Sequence, residues 1–119
     1  MNEKWVSDIQ ENVRSGIVEL LILQLLSEED MYGYQIKQEL SRRTSETFVM
    51  KEGSLYGPLY RMHKRGLISS HQEAAGEKRT RNYYHLEPTG AEYLAFGRRE
   101  IERVFRGAKE LLSWQKKKK

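Results

Sequence analysis

The stretch "EGSLYGPLYRMHKRGLI", Glu52 to Ile68, decides the fold. Leu55, Leu59 and Met62 recur at i, i+4 and i+7, which is the apolar stripe of one helix, and Tyr56 and Tyr60 are expected to widen it. The opposite face carries Ser54, Gly57, Pro58, Arg61, Lys64 and Arg65. Small residues at its start let another surface come close to the backbone, and the cations farther along suit an anion held there. Gly66 stands where a residue in the left-handed conformation ends a helix. The spacing therefore predicts a helix over 52–65.

Upstream, "YGYQIKQEL" sets Ile36 and Leu40 four apart, which predicts a second helix of about three turns over 33–43. Before it, Ser7 and Gln10 fit a capping box. Trp5, Ile9 and Val13 then run as a narrow stripe into the apolar Ile17–Leu26, so one helix is expected over 8–28, with Gly16 a tolerated weak point. Thr47–Met50 is short and β-prone. Downstream, 67–72 and 81–86 alternate as strands around the polar loop "EAAGEKRT". If Glu73 pairs with Thr80, His71 faces Asn82 and His85 faces Ile68. Alternation turns Asn82, Tyr84 and Leu86 toward the core and Arg81, Tyr83 and His85 away from it.

Pro88 opens the last helix, along which Gly90, Leu94, Gly97, Ile101, Val104, Ala108 and Leu111 form a heptad seam. The order is helix, helix, helix, hairpin, long helix. This is a mainly α chain with a small β-hairpin, the winged helix-turn-helix plan followed by a long C-terminal helix. We expect a DNA-binding domain over 1–87, with an N-terminal helix extension at 5–16, a dimerisation helix over 88–115, and a disordered lysine tail at 116–119.

The net charge of +4 is unevenly spread over the 119 residues. Residues 1–50 hold five Lys/Arg against nine Asp/Glu, residues 51–85 seven against three, and residues 86–119 nine against five. An acidic front and a basic rear suggest an anionic partner on one side. There is no cysteine, so disulfides, thiolate chemistry and Cys-ligated zinc are excluded. No apolar run reaches the roughly 18 residues of a membrane span, and no leader pattern opens the chain, so a cytoplasmic domain without a membrane partner is expected. His63, His71 and His85 are too scattered for a metal site. Ser54 has no histidine in a nucleophile motif, and "GEKR" lacks the glycines of a phosphate loop. We expect no enzyme and no cofactor.

In a winged helix the second helix of the pair enters the major groove of double-stranded DNA by its first residues. Ser54, Gly57 and Pro58 are then nearest the base edges, and Arg61 or Lys64 reaches a guanine or a phosphate. Tyr34 anchors the preceding helix to the DNA backbone by its hydroxyl, and Lys78, Arg79 and Arg81 of the hairpin meet phosphates or the minor groove. A different class of function stays open: a protein-interaction module that uses the same scaffold while its basic surface is merely solvated.

"YGYQIKQEL", "EGSLYGPLYRMHKRGLI" and "RNYYHLEPTG" occur in this order, over about residues 12–112, and together the chain resembles the PadR family of bacterial transcriptional regulators. The family pattern pairs a YGY-type helix with G-[ST]-L-Y-x-x-L and a wing ending K-Y-Y-x-L-T-x-x-G. The short chain with a single long C-terminal helix is similar to the smaller subgroup. The resemblance implies a homodimeric, ligand-responsive repressor on a palindromic operator. In the dimer the C-terminal helix meets its counterpart and the partner's first helix. On this chain the interface would comprise Trp5, Ile9, Val13, Leu94, Ile101, Val104, Phe105, Ala108 and Leu111. Family members that bind small aromatic effectors do so between the subunits, which here points to Phe96, Ile101 and Phe105 rather than a tryptophan sandwich. Two departures stand out. Lys51 replaces the usual capping Ser, Thr or Asn and is expected to contact DNA instead, and Glu87 replaces a threonine, leaving the next cap to Glu87 or Thr89.

Overall fold

In a computed structural model, which describes residues 2–116, five helices surround a small sheet. They are α1 (Glu3–Ser15), α2 (Val18–Leu26), α3 (Gly33–Arg43), α4 (Tyr56–Lys64) and α5 (Pro88–Ser113). The strands are β1 (Met31–Tyr32), β2 (Ile68–Ala74) and β3 (Thr80–Leu86), and a single 3-10 turn, Glu52–Leu55, leads into α4. Of the expected lysine tail, 117–119 lie outside the described residues.

The core is built from α2, α3 and α4. Ile22, Leu23, Ile36, Leu55, Leu59 and Met62 are buried almost completely, together with Met31 and Ile68 of the sheet. Each such side chain contributes about 2 kcal/mol of hydrophobic stabilisation. No polar side chain is buried among the described residues, so shape rather than polar pairing specifies this interior.

The single helix expected over 8–28 is two helices. The first starts five residues earlier, where Asn2 Oδ1 accepts from the Lys4 N–H at 2.8 Å, so Ser7 caps nothing. It ends at Gly16, and the Ile17 N–H turns back to Arg14 O at 3.0 Å before α2 begins. Glycine costs a helix interior about 1 kcal/mol, and here no packing offsets it: α1 buries no residue, whereas α2 buries five of its nine. The break falls between a helix without a core and the helix at its centre.

The hairpin register is shifted by one from the expected one. Glu73 pairs with Arg81, His71 with Tyr83, His85 with Ser69 and Ile68 with Leu86. Ile68 and Leu86 must both face the core, and the expected register would have set Ile68 against His85 on the outer face. The split of β3 itself stands: Tyr84 and Leu86 pack on the core, and Asn82, though on that face, is exposed at the far end of the strand. β1 adds a third strand beside β3, Met31 to Tyr84 and Tyr32 to Tyr83, so the strand order is β1-β3-β2. Two residues carry no periodicity, and only pairing reveals them. Thr47–Met50, though β-prone, forms no strand.

The last helix divides along its length. Gly90, Leu94 and Gly97 are buried against the chain's own core. A Cβ at Gly90 would lie 2.1 Å from Leu67 O, and one at Gly97 would lie 2.3 Å from a methyl of Leu20. Leu94, expected at a dimer interface, belongs to this core instead, because α5 leaves the domain only after three turns. For the same reason residue 87 is no boundary in packing. Glu87 takes the N-cap position of α5 without a side-chain hydrogen bond to it, and the Thr89 hydroxyl donates instead to Gly66 O at 2.6 Å and ties α5 to the end of α4.

Candidate nucleic-acid interface

With α3 before it and the β2–β3 wing after it, α4 is the second helix of a helix-turn-helix. Its entry follows from Lys51, which is extended and offers no acceptor to the first turn. The Ser54 N–H therefore closes on Lys51 O at 2.9 Å, and the element begins as a tight 3-10 turn. Its exit follows from Gly66, at φ 76°, which lets the Leu67 N–H reach Met62 O at 3.0 Å.

Around this axis the residues sort into three sets. Ser54, Pro58, Arg61 and Arg65 flank α2, where Arg61 Nε donates to Glu19 Oε1 at 3.1 Å and Arg65 Nη1 lies 3.9 Å from Glu19 Oε2. Glu52 and Tyr56 flank α3, both beside Gly33. The line farthest from the core is Gly53, Gly57, Tyr60 and Lys64, all exposed. Tyr60 is 68% exposed and Tyr56 52%, so neither widens the buried stripe. At about 100° per residue Tyr60 stands roughly 130° from the stripe's centre, and that projection is the signal that would have marked it as an outward residue.

Lys51, Ser54, Gly57, Pro58 and Arg61 come together along one open groove of about 850 Å³, whose other wall is Ser7, Glu11 and Arg14 of α1. Tyr34 and Arg81 lie apart from them, at a smaller notch of about 380 Å³ between α3, the start of the 3-10 turn and the wing. The Tyr34 hydroxyl, half exposed, accepts from Gln38 Nε2 at 3.1 Å. Arg81 is folded back, its guanidinium 4.4 Å above the ring of Tyr32, which in turn meets Tyr83 edge-on at 5.3 Å. The wing's reaching cations are thus Lys78 and Arg79, exposed in a turn that Gly76, at φ 122°, makes possible and that the Ala75 N–H closes on Arg79 O at 2.9 Å.

The cations near this surface differ in how they are held. Arg42 and Arg43, at the end of α3, are held by Glu39, and Arg43 also by Glu28. Hydrogen bonds from the two guanidinium groups keep the Glu39 carboxyl at about 2, so it stays ionised over the whole working range. Among the described residues Lys51, Lys64, Lys78 and Arg79 make no ion pair, and they border α4 and the wing tip.

α1 also borders a second groove, apolar and of about 550 Å³, which it encloses with α5. Val13, Leu20, Tyr93, Phe96, Ile101 and Phe105 line it, so Phe96, Ile101 and Phe105 border the same groove. Trp5, Ile9, Val104, Phe105 and Leu111 are exposed, as is Ala108, while Ile101 is partly covered. The three histidines lie on α4, β2 and β3, and no three His, Asp or Glu side chains converge to hold a metal among the described residues.

The chain is similar in sequence and fold to known proteins. A transcriptional regulator from Clostridium thermocellum is 35% identical, superposes with a TM-score of 0.75, and is matched over 83% of this chain and 93% of that one. A PadR-like transcriptional regulator from Bacillus cereus is 32% identical, with a TM-score of 0.73, over 87% and 99% of the two chains. Bacillus subtilis PadR, solved in complex with operator DNA, shares the fold at 18% identity and a TM-score of 0.62, over 87% of this chain and 51% of that one. Residues 22–96 match the Transcriptional regulator PadR-like family. That span takes in α3, α4, the wing and the part of α5 that packs on them, and on it the chain belongs to the PadR-like family of transcriptional regulators.

Proposed function

We propose that this chain is a repressor that binds a palindromic operator on double-stranded DNA as a homodimer and responds to a small aromatic ligand. The observation that carries the reading is the outer surface of α4. There and on the 3-10 turn before it the small residues Gly53, Ser54 and Gly57 are exposed, and the unpaired cations Lys51 and Lys64 border them, with Lys78 and Arg79 at the wing tip. A duplex can approach such a backbone closely while lysines and arginines neutralise its phosphates. A protein of the same fold has been solved on operator DNA, which supports the mode of docking. Within this reading Ser54, Gly57 and Pro58 lie nearest the bases, Arg61 reads a guanine, Tyr34, Lys51, Lys64, Lys78 and Arg79 meet the backbone, and Arg81, stacked on Tyr32, holds the wing strand rather than a phosphate.

The dimer is proposed from the exposed apolar residues of α1 and of the outer part of α5. Trp5, Ile9, Val13, Val104, Phe105, Ala108 and Leu111, with Ile101, would be covered by the second copy. The DNA-binding unit then runs from α2 through Gly97, and the rest of α5 dimerises. The aromatic ligand is assigned to the groove at Phe96, Ile101 and Phe105. No helix of the described residues is long and apolar enough to cross a membrane, in keeping with a protein that works on DNA in the cytoplasm.

The wing tests this reading. Lys78→Ala/Arg79→Ala should leave fold and dimer intact, weaken operator and scrambled duplex by a similar factor, and lower the slope of log affinity against log salt by about one to two. A protein-interaction module with a solvated basic face predicts no slope to begin with. Titrations at several salt concentrations separate the two.

A further inference from the structure

Arg61 is held before any ligand arrives. Its Nε donates to Glu19 Oε1 at 3.1 Å, and Glu19 stands on α2, a helix fixed by five buried apolar residues. The carboxylate is mostly shielded, its side chain 19% exposed, while that of Arg61 is 56% exposed. On the other side of the guanidinium is Gly57, where a Cβ would lie 3.4 Å from Arg61 Nη1. The guanidinium thus lies along the α4 surface over the glycine. Its Nε is engaged, and its remaining N–H groups make no hydrogen bond among the described residues. Arg65, at 3.9 Å from the same carboxylate, is the looser partner.

We propose that Glu19 is a positioning residue for base recognition: it holds Arg61 flat over Gly57 so that the open side of the fork meets a guanine in the major groove. The inference rests on the reading of α4 as the recognition helix. An ion pair half open to water adds little to stability, so its main effect is on orientation. A long arginine left to itself samples many rotamers and must lose that freedom on binding. One anchored through Nε has lost most of it already, and the fork that reads guanine O6 and N7 is planar and tolerates little misplacement.

Duplexes selected from a random-sequence pool by the wild-type protein provide the probe. Glu19→Ala should lose about tenfold in preference for guanine at one position of each half-site, a size within what a bidentate arginine supplies. Glu19→Gln, whose amide oxygen still accepts from Nε, should keep most of that preference although the negative charge is gone. Arg61→Lys, which keeps the charge but has no fork, should behave like Glu19→Ala, and it tests the same contact even if Glu19→Ala melts early. The proposal is overturned if Glu19→Ala and Glu19→Gln behave alike, or if either changes affinity for every sequence equally, since Glu19 would then act only by charge or as a tether. A wild-type protein that selects no sequence at all would bring down the recognition reading itself.

Discussion

One helix holds two regions that the same heptad pattern describes and that meet opposite fates. From Pro88 to Gly97 the seam of α5 is buried in its own chain, with Gly90 and Gly97 letting the backbone down onto Leu67 and Leu20. From Val104 to Leu111 the seam continues unbroken in sequence, yet Val104 is 50% exposed and Leu111 75%. Periodicity says which face wants burial. It does not say whether the chain itself supplies the cover.

Three glycines of this helix sharpen the contrast, beginning with the largest effect. Gly90→Ala would drive a Cβ into the carbonyl of Leu67 and a methyl of Leu86, and a backbone carbonyl cannot swing aside. We expect a loss of about 3 kcal/mol in urea denaturation of the whole domain. Leu94→Ala, which opens a cavity in the same place, should cost about 2–4 kcal/mol. Gly97→Ala meets only the flexible end of Leu20, so a clash of about 1–2 kcal/mol is largely offset by the gain of about 1 kcal/mol in helix propensity. Nothing stands within 4 Å of a Cβ at Gly107, and Gly107→Ala should stabilise the isolated helix end by up to about 1 kcal/mol. If Gly107→Ala instead weakens association, the partner helix approaches closest there.

Charges on the exposed half break the comparison the other way. Val104→Asp/Leu111→Asp should keep the helical content of the chain while sedimentation shows monomers, and its unfolding midpoint should no longer rise with protein concentration as that of a dimer does. A double variant that still sediments as a dimer would place the interface elsewhere.

The smallest expected effect concerns the link between β3 and the turn ahead of β1. His85 Nδ1 and Asp30 Oδ1 are 2.7 Å apart, and the hydrogen bond to Asp30 raises the histidine above its ordinary 6.5, helped by the charges of Asp30 and Glu87. A proton held more tightly in the folded state stabilises it below pH 6.5, and that contribution fades as pH rises through the raised value. Both side chains are more than a third exposed, so only a few tenths of a kcal/mol are at stake. Denaturation midpoints of wild type and Asp30→Asn should differ at pH 6 and converge by pH 9.

Much of the site was readable from single residues. Leu55, Leu59 and Met62 mark the buried side of α4, and Gly66 marks its end, because helical spacing and a left-handed φ are local properties. Tyr56 and Tyr60 adjoin the stripe in sequence but not in angle, and both are exposed. Arg61 could be placed on the right face, but its partner Glu19 is 42 residues away, and nothing local announces that distance. Lys51 as a poor cap was legible, and the 3-10 turn it produces is its structural consequence.

By itself the sequence determined the elements with their own periodicity or punctuation: α3, α4, the hairpin with its glycine turn, and the proline that opens α5. Only the tertiary structure decided the break at Gly16, the pairing of Met31–Tyr32 with β3, the register that brings Ile68 opposite Leu86, and the division of α5 after Gly97. In each of these the outcome depends on what stands on the other side of a contact. α1 parts from α2 because one has a core to enter and the other has none, and the hairpin slides by one residue because two apolar side chains must share a face.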